Sequence, residues 1–291
     1  MKSNQRINLK NKQKAAMSNL VIRSITGLFF GLTMIGAFLW GPTATAVLFL
    51  LWVFVGSHEF YQLTGASSHR AWGGIVLGVT FYIFFFLIGS EVLTYQDLVF
   101  LLPVFVFLMT LELVVLRPHF AMDFARVLMG WVYIALPMSL VSSYAFLPGE
   151  YTPWLPITFF AMLWVNDSGA YFVGRSLGKT KLFEKVSPKK TWEGFVGGLI
   201  ATVLCGLACS QIELIQNDLY LMTTYHWVIL SLIISIFGTI GDLIESLLKR
   251  TANVKDSGVL IPGHGGVLDR FDGYLMAMPM AYTFVYLIYR I

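Results

Sequence analysis

Apolar residues run through the chain in long blocks, and polar residues collect in the gaps between them. Nine blocks reach about 17–23 residues, enough to cross ~30 Å of hydrocarbon at about 1.5 Å per helical residue. They lie at 21–40, 43–61, 72–90, 98–116, 127–147, 154–174, 193–214, 226–247 and 274–290. This pattern predicts an all-α polytopic membrane protein with about nine transmembrane helices. The sixth and eighth blocks are the least plain, since each carries acidic residues near one end. Small residues recur four apart, Gly27 with Gly31 and Gly194 with Gly198. That spacing predicts close helix packing.

Composition agrees with the pattern. The chain is 57% hydrophobic and 12% charged, whereas a soluble domain is about a quarter charged. Charge adds an orientation. With the N-terminus in the cytoplasm, the inner segments are 1–23, 62–71, 117–126, 175–192 and 248–272, and they hold nineteen of the 20 Lys and Arg residues. Only Arg290 falls outside. The positive-inside rule therefore predicts a cytoplasmic N-terminus and an outside C-terminus. Residues 1–20 read as a basic cytoplasmic tail, because no small-residue cleavage site follows the first apolar run. Residues 21–150 read as N-terminal membrane helices. Residues 151–291 read as a C-terminal catalytic region with cytoplasmic loops 175–192 and 248–272.

The net charge of +4 does not point to nucleic acid, since the cations follow the membrane topology. Cys205 and Cys209, four apart in an apolar run, read as core residues on one helix face. They form neither a zinc pattern nor a disulfide framework.

The chemistry concentrates in the two loops and their flanking helices. Asp242, Glu245, Ser246 and Lys249 fall at i, i+3, i+4 and i+7, one stripe of a helix. Acids at membrane depth are costly and usually face a polar cavity or a partner. Downstream, Pro262, Gly263, Gly265 and Gly266 surround His264 in a tight turn whose backbone can approach phosphate oxygens. Asp269 and Asp272 then open the last helix at i and i+3, where two carboxylates can share a hard cation such as Mg²⁺. The other loop supplies Arg175, Lys179, Lys181, Lys185, Lys189 and Lys190. Before it, Asn166 and Asp167 beside a Ser-Gly-Ala step suggest a polar pocket between helices. Carboxylates for a divalent cation, lysines for phosphates and a membrane setting point to phosphoryl-type chemistry on a lipid.

Ser246, Lys249, Arg250, Lys255, Asp256, the turn from Pro262 to Gly266, Asp269, Arg270 and Asp272 together resemble the signature of the phosphatidate cytidylyltransferases, also called CDP-diacylglycerol synthases. "SPKKTWEG" at 187–194 and "NDSGAYFVGRSLGK" at 166–179 are similar to that family's other two blocks, in the same order. The resemblance covers roughly residues 160–275. It implies that CTP and phosphatidic acid give CDP-diacylglycerol and pyrophosphate, with Mg²⁺ as cofactor and room for a second cation. It also implies metal ligation by Asp242, Asp269 and Asp272, and catalytic contacts from Lys190 and Lys249. Substrate contacts would come from Asp167, Lys189, Ser246, Arg250, Lys255, Asp256, His264, Gly265, Gly266 and Arg270.

The expected step is in-line attack of the lipid phosphate on the α-phosphorus of CTP. A phosphate monoester is already anionic near neutral pH, so His264 is not needed as a base. Partners are the two substrates and the bilayer, with a homodimer left open. Two other readings remain. One is a cation transporter using Glu59, Asp167 and Asp242. The other is an enzyme of another lipid phosphate, such as a CDP-archaeol synthase or a polyprenol kinase.

Overall fold

The computed structural model describes residues 25–115, 120–258, 260 and 265–290. The basic tail 1–20, and Pro262, Gly263 and His264 in the second loop, lie outside the described residues. Among the described residues, each of the nine apolar blocks overlaps a helix. In order these are α1 (Ile25–Trp40), α2 (Pro42–Thr64), α3 (Ser68–Gly89) and α4 (Leu101–Val115), the last entered by a 3₁₀ turn at Tyr95–Phe100. Next comes α5 (Phe120–Gly130), which runs through one π-turn at Trp131–Ala135 into α6 (Leu136–Tyr144). The C-terminal region holds α7 (Trp154–Leu177), α8 (Trp192–Cys209), the short α9 (Glu213–Asp218), α10 (Thr224–Thr251) and α11 (Leu268–Arg290). Five of these units are long and apolar enough to cross a membrane: α2, α3, the joined α5–α6, α8 and α10. α7 and α11, which carry Asp167, Asp269 and Asp272, are not among the five.

Local chemistry sets the helix ends. Pro42 sits in the first turn of α2, where its missing N–H costs nothing, and Gly65 closes the helix at φ 68°. The π-turn stands just before Pro137, a residue that cannot bond four residues back and so disturbs the regular ladder. Thr191 starts α8 by accepting a hydrogen bond from the Gly194 N–H at 3.1 Å.

One element was not foreseen. Within loop 175–192, β1 (Lys181–Phe183) and β2 (Ser187–Thr191) form an antiparallel hairpin, with Lys181 opposite Thr191 and Phe183 opposite Ser187. Among the described residues the fold is overwhelmingly α-helical, as the apolar pattern predicts, with this short hairpin in one loop. Glu193 fastens this hairpin to α8 by accepting the N–H groups of Lys179 and Thr180, each at 3.1 Å.

Packing is tightest among α7, α8, α10 and α11. Gly194 and Gly198 of α8 press against the α7 backbone, where an added Cβ would stand 2.8 Å from the Ala170 and Asn166 carbonyl oxygens. The close packing expected of that pair is present. Gly27 and Gly31 differ: both border an open cavity, and a Cβ on Gly31 would meet only the Trp164 ring, at 3.6 Å. Gly241 on α10 faces the backbone of Asp272 and Gly273 so closely that a Cβ would collide with the Asp272 carbonyl. Beside this contact lies an aromatic cluster of Phe49, Phe159, Phe160, Phe271 and Tyr274. Phe160 and Tyr274 stack at 5.4 Å and 10°, and Phe271 meets Tyr274 edge-on at 5.4 Å. Such pairs add about 0.5–1.5 kcal/mol each beyond area burial, so the start of α11 is held firmly against α2 and α7.

Candidate active site

A cavity of about 1050 Å³ opens between α1, α7, the hairpin, α10 and the start of α11. Its two sides differ in chemistry. α1 and Trp164 contribute an apolar wall of Leu28, Phe30, Leu32 and Ile35, with Gly27 and Gly31 among them. The opposite side carries Asp167, Lys189, Lys190, Asp242, Asp269, Arg270 and Asp272. These seven residues, predicted from three separate stretches of sequence, come together in one space.

Helix geometry explains the division of labour between neighbours. Consecutive helical residues point about 100° apart. Asn166 therefore turns into the helix interface, buried, and its Oδ1 accepts from Ser235 Oγ at 2.6 Å. Asp167 turns into the cavity. Next to the Gly241 contact between α10 and α11, Asp242 and Asp272 both line the cavity. Lys190, at the end of β2, reaches across the cavity mouth to Asp242 Oδ2 at 2.5 Å.

The stripe on α10 forms as spaced. Ser246 Oγ donates to Asp242 Oδ1 at 3.2 Å, and Lys249 pairs with Glu245 at 2.6 Å. Lys249 also pairs with Asp269 Oδ1 at 2.6 Å. Its ammonium is thus held between two carboxylates, and Lys249 is not among the residues lining the cavity. Asp269 Oδ2 accepts from the Ser257 N–H (2.8 Å), Ser257 Oγ (2.9 Å) and the Gly266 N–H (2.8 Å).

The glycines of the tight turn acquire a specific reason. Gly265 sits at φ 84°, and its missing Cβ leaves room for the Asp269 carboxylate. Gly266 is packed where a Cβ would overlap Ser257 and Glu59. Its N–H is directed at Asp269, not at the open cavity. Arg250, Lys255 and Asp256 are exposed and do not line the cavity, and His264 lies outside the described residues. Sequence reading missed Glu193 and the cap at Thr191, which hold the lysine hairpin. The Thr-x-x-Gly start of α8 was the only local signal for them.

Asp167, Asp242 and Asp272 bring three carboxylates from three helices to one cavity, a donor set of the hard-oxygen kind that suits Mg²⁺. Among the described residues no three Asp, Glu, His or Cys side chains stand close enough to form a complete cage. Mg²⁺ usually takes one or two carboxylates plus substrate phosphates and water, so Asp242 and Asp272 fit that pattern. Asp269 is differently placed, since donors already engage both of its oxygens.

The model of the cytidylyltransferase family matches residues 21–288. Individual relatives agree over a shorter stretch. The chain is 51% identical over 122 residues to a phosphatidate cytidylyltransferase of Bacillus subtilis (strain 168), covering 42% of this chain and 43% of that protein. It is 46% identical over 121 residues to one from Staphylococcus saprophyticus, covering 42% of this chain and 45% of the relative. Against one from Staphylococcus aureus (strain COL) it is 43% identical over 123 residues, with the same shares. These matches span less than half the length of each curated relative. The family match, by contrast, runs through both the apolar N-terminal helices and the acidic cavity. The chain belongs to the cytidylyltransferase family.

Proposed function

We propose that this chain is a phosphatidate cytidylyltransferase, joining CTP to phosphatidic acid to give CDP-diacylglycerol and pyrophosphate. The observation that carries the reading is the two-sided cavity. One wall is apolar and borders α1, and the other collects four carboxylates, three lysines and two arginines. A substrate with a phosphate head and acyl tails matches both walls. The direct test supplies purified protein with Mg²⁺, phosphatidate and labelled CTP, and looks for labelled liponucleotide. Labelled nucleoside diphosphate with an unlabelled lipid phosphate would mean a kinase instead.

The reaction is one displacement. A phosphate oxygen of phosphatidate attacks the α-phosphorus of CTP, and the bond to the α,β-bridging oxygen breaks. Pyrophosphate leaves with that electron pair. The attacking oxygen is already anionic near pH 7, with a second pKa of about 6, so no general base is required. Lys190 and Arg270, both on the cavity wall, are assigned to the charge that develops on the transferring and leaving phosphates. Lys189 extends the same cationic edge. Asp242 and Asp272, with Asp269 if Lys249 yields its place, are assigned to Mg²⁺. The bound ion would supply charge neutralisation on the reacting phosphates.

The membrane part of the proposal is nine spans, a cytoplasmic N-terminus and a cavity facing the cytoplasm of the bacterial inner membrane. Single cysteines at Lys185 and Lys255 are expected to react with an impermeant maleimide only from the cytoplasmic side, and one at Glu150 only from outside. Outside labelling at Lys255 would overturn the orientation.

The apolar wall makes a separate prediction. At Gly31 a Cβ is tolerated, but a leucine side chain would project into the cavity. Gly31→Leu is expected to raise the KM for dioleoyl phosphatidate about tenfold, roughly 1.4 kcal/mol. The KM for CTP and for dihexanoyl phosphatidate should stay within about threefold. An equal loss with both lipids would remove α1 from the lipid subsite.

A further inference from the structure

We propose that Glu59, near the end of α2, is a positioning residue of this active site. It holds the start of α11 and the Ser257 turn so that Asp269, Arg270 and Asp272 face the cavity. The kinetic part of this proposal rests on the cytidylyltransferase reading, and the structural part does not.

Glu59 is 5% exposed and lies 208 residues from the segment it touches. Its Oε1 accepts the Val267 N–H at 3.0 Å, and its Oε2 accepts the Leu268 N–H at 3.0 Å. The first N–H groups of a helix have no partner within it. Here a carboxylate from another helix takes two of them, at the end where the helix dipole favours negative charge. Ser257 Oγ stands between Glu59 Oε2 at 3.3 Å and Asp269 Oδ2 at 2.9 Å. Its single hydroxyl proton serves one or the other, so the two carboxylates share this turn.

The surrounding backbone is shaped to the Glu59 side chain. A Cβ on Gly258 would come within 2.6 Å of Oε1, and one on Gly266 would overlap Oε2. Among the described residues no Lys or Arg pairs with Glu59. Its charge is met by two amides and a hydroxyl, a set that fixes backbone position more tightly than a flexible cation would. Glu59 does not line the cavity, so it acts through α11 and touches no substrate. The site residues Asp269, Arg270 and Asp272 follow within five residues of the amides it holds. A misplacement of about 1 Å at such groups can cost about 100-fold in rate.

The test is Glu59→Gln, which keeps the shape but points an NH₂ at one of the two amides. We expect kcat to fall about 100-fold, while the KM for CTP changes less than about threefold. Hydrogen exchange in the peptide containing residues 257–268 should quicken about tenfold or more. Exchange in α8 and in the N-terminal half of α10 should not change. Wild-type exchange at 257–268 would overturn the proposal, as would wild-type kcat, or a raised KM with kcat held. If Glu59→Gln fails to fold, Ser257→Ala decides. A lowered kcat at constant KM supports the shared turn, and wild-type kinetics overturns it. If the unaltered protein makes no liponucleotide, the enzymatic reading falls, while the exchange measurement still judges Glu59.

Discussion

Under the proposed phosphatidate cytidylyltransferase activity, replacing Asp242 or Asp272 by asparagine is expected to lower CDP-diacylglycerol formation about a thousandfold at saturating substrates. Asparagine keeps the size of each side chain and removes one negative charge from the cavity. Three decades in rate correspond to about 4 kcal/mol of lost transition-state stabilisation, the scale on which a bound cation acts on transferring phosphates. Folding should change far less. The Lys190–Asp242 pair is partly open to solvent, with side chains 26% and 33% exposed, and pairs of that kind contribute about 0–1 kcal/mol. A loss of turnover without a matching loss of thermal stability therefore separates a chemical role from a structural one. The Mg²⁺ concentration for half-maximal rate should also rise in both variants. Glu184→Gln, exposed in the hairpin turn away from the cavity, should stay within about twofold of the parent. Parent-like turnover in Asp272→Asn at ordinary Mg²⁺ would remove that residue from the metal set.

Gly241→Ala should be nearly as damaging, through geometry alone. The new methyl would meet the Asp272 carbonyl and lie 3.1 Å from Gly273 Cα. Both neighbours are backbone, so relief requires α10 and α11 to separate. Overpacking of this kind costs about 1–3 kcal/mol, and separation would draw Asp272 away from Asp242. The expected result is a thermal midpoint lowered by several degrees and turnover reduced about 10–100-fold. Gly36→Ala is the matched control, because nothing lies within 4 Å of a Cβ there. A Gly241→Ala protein as stable and active as the Gly36→Ala protein would show that the helix contact does not set the site.

Much of this protein is readable in one dimension. A helix in hydrocarbon must satisfy its backbone internally, so apolar length and helical structure go together, and each block overlaps a helix among the described residues. The i, i+3, i+4, i+7 stripe on α10 was equally legible, because residues three or four apart on a helix are neighbours wherever the helix sits. The paired glycines at 194 and 198 were read correctly for the same reason. Gly27 and Gly31 share that spacing yet face a cavity, because spacing describes one helix and says nothing about what stands opposite. The β1–β2 hairpin was missed because its strands are three and five residues long, too short for an alternating pattern to emerge from a lysine-rich loop.

The chain's own order of residues determined that it is a helical membrane protein, and that its carboxylates and lysines gather in two loops and the helices beside them. Local bonding and burial suffice for that. How each carboxylate is engaged was decided only by the tertiary structure. Asp269 and Asp272 are three apart on one helix, yet Asp269 is tied to Lys249, Ser257 and Gly266, while Asp272 lines the cavity together with Asp242. Glu59, which the sequence offered only as a candidate ion ligand of a transporter, became the anchor of a helix 208 residues away. The physical reason is that a hydrogen bond depends on where two groups meet in space. For groups far apart in the chain, that meeting is set by the packing of whole helices, through contacts such as Gly241 against Asp272 and Phe160 against Tyr274.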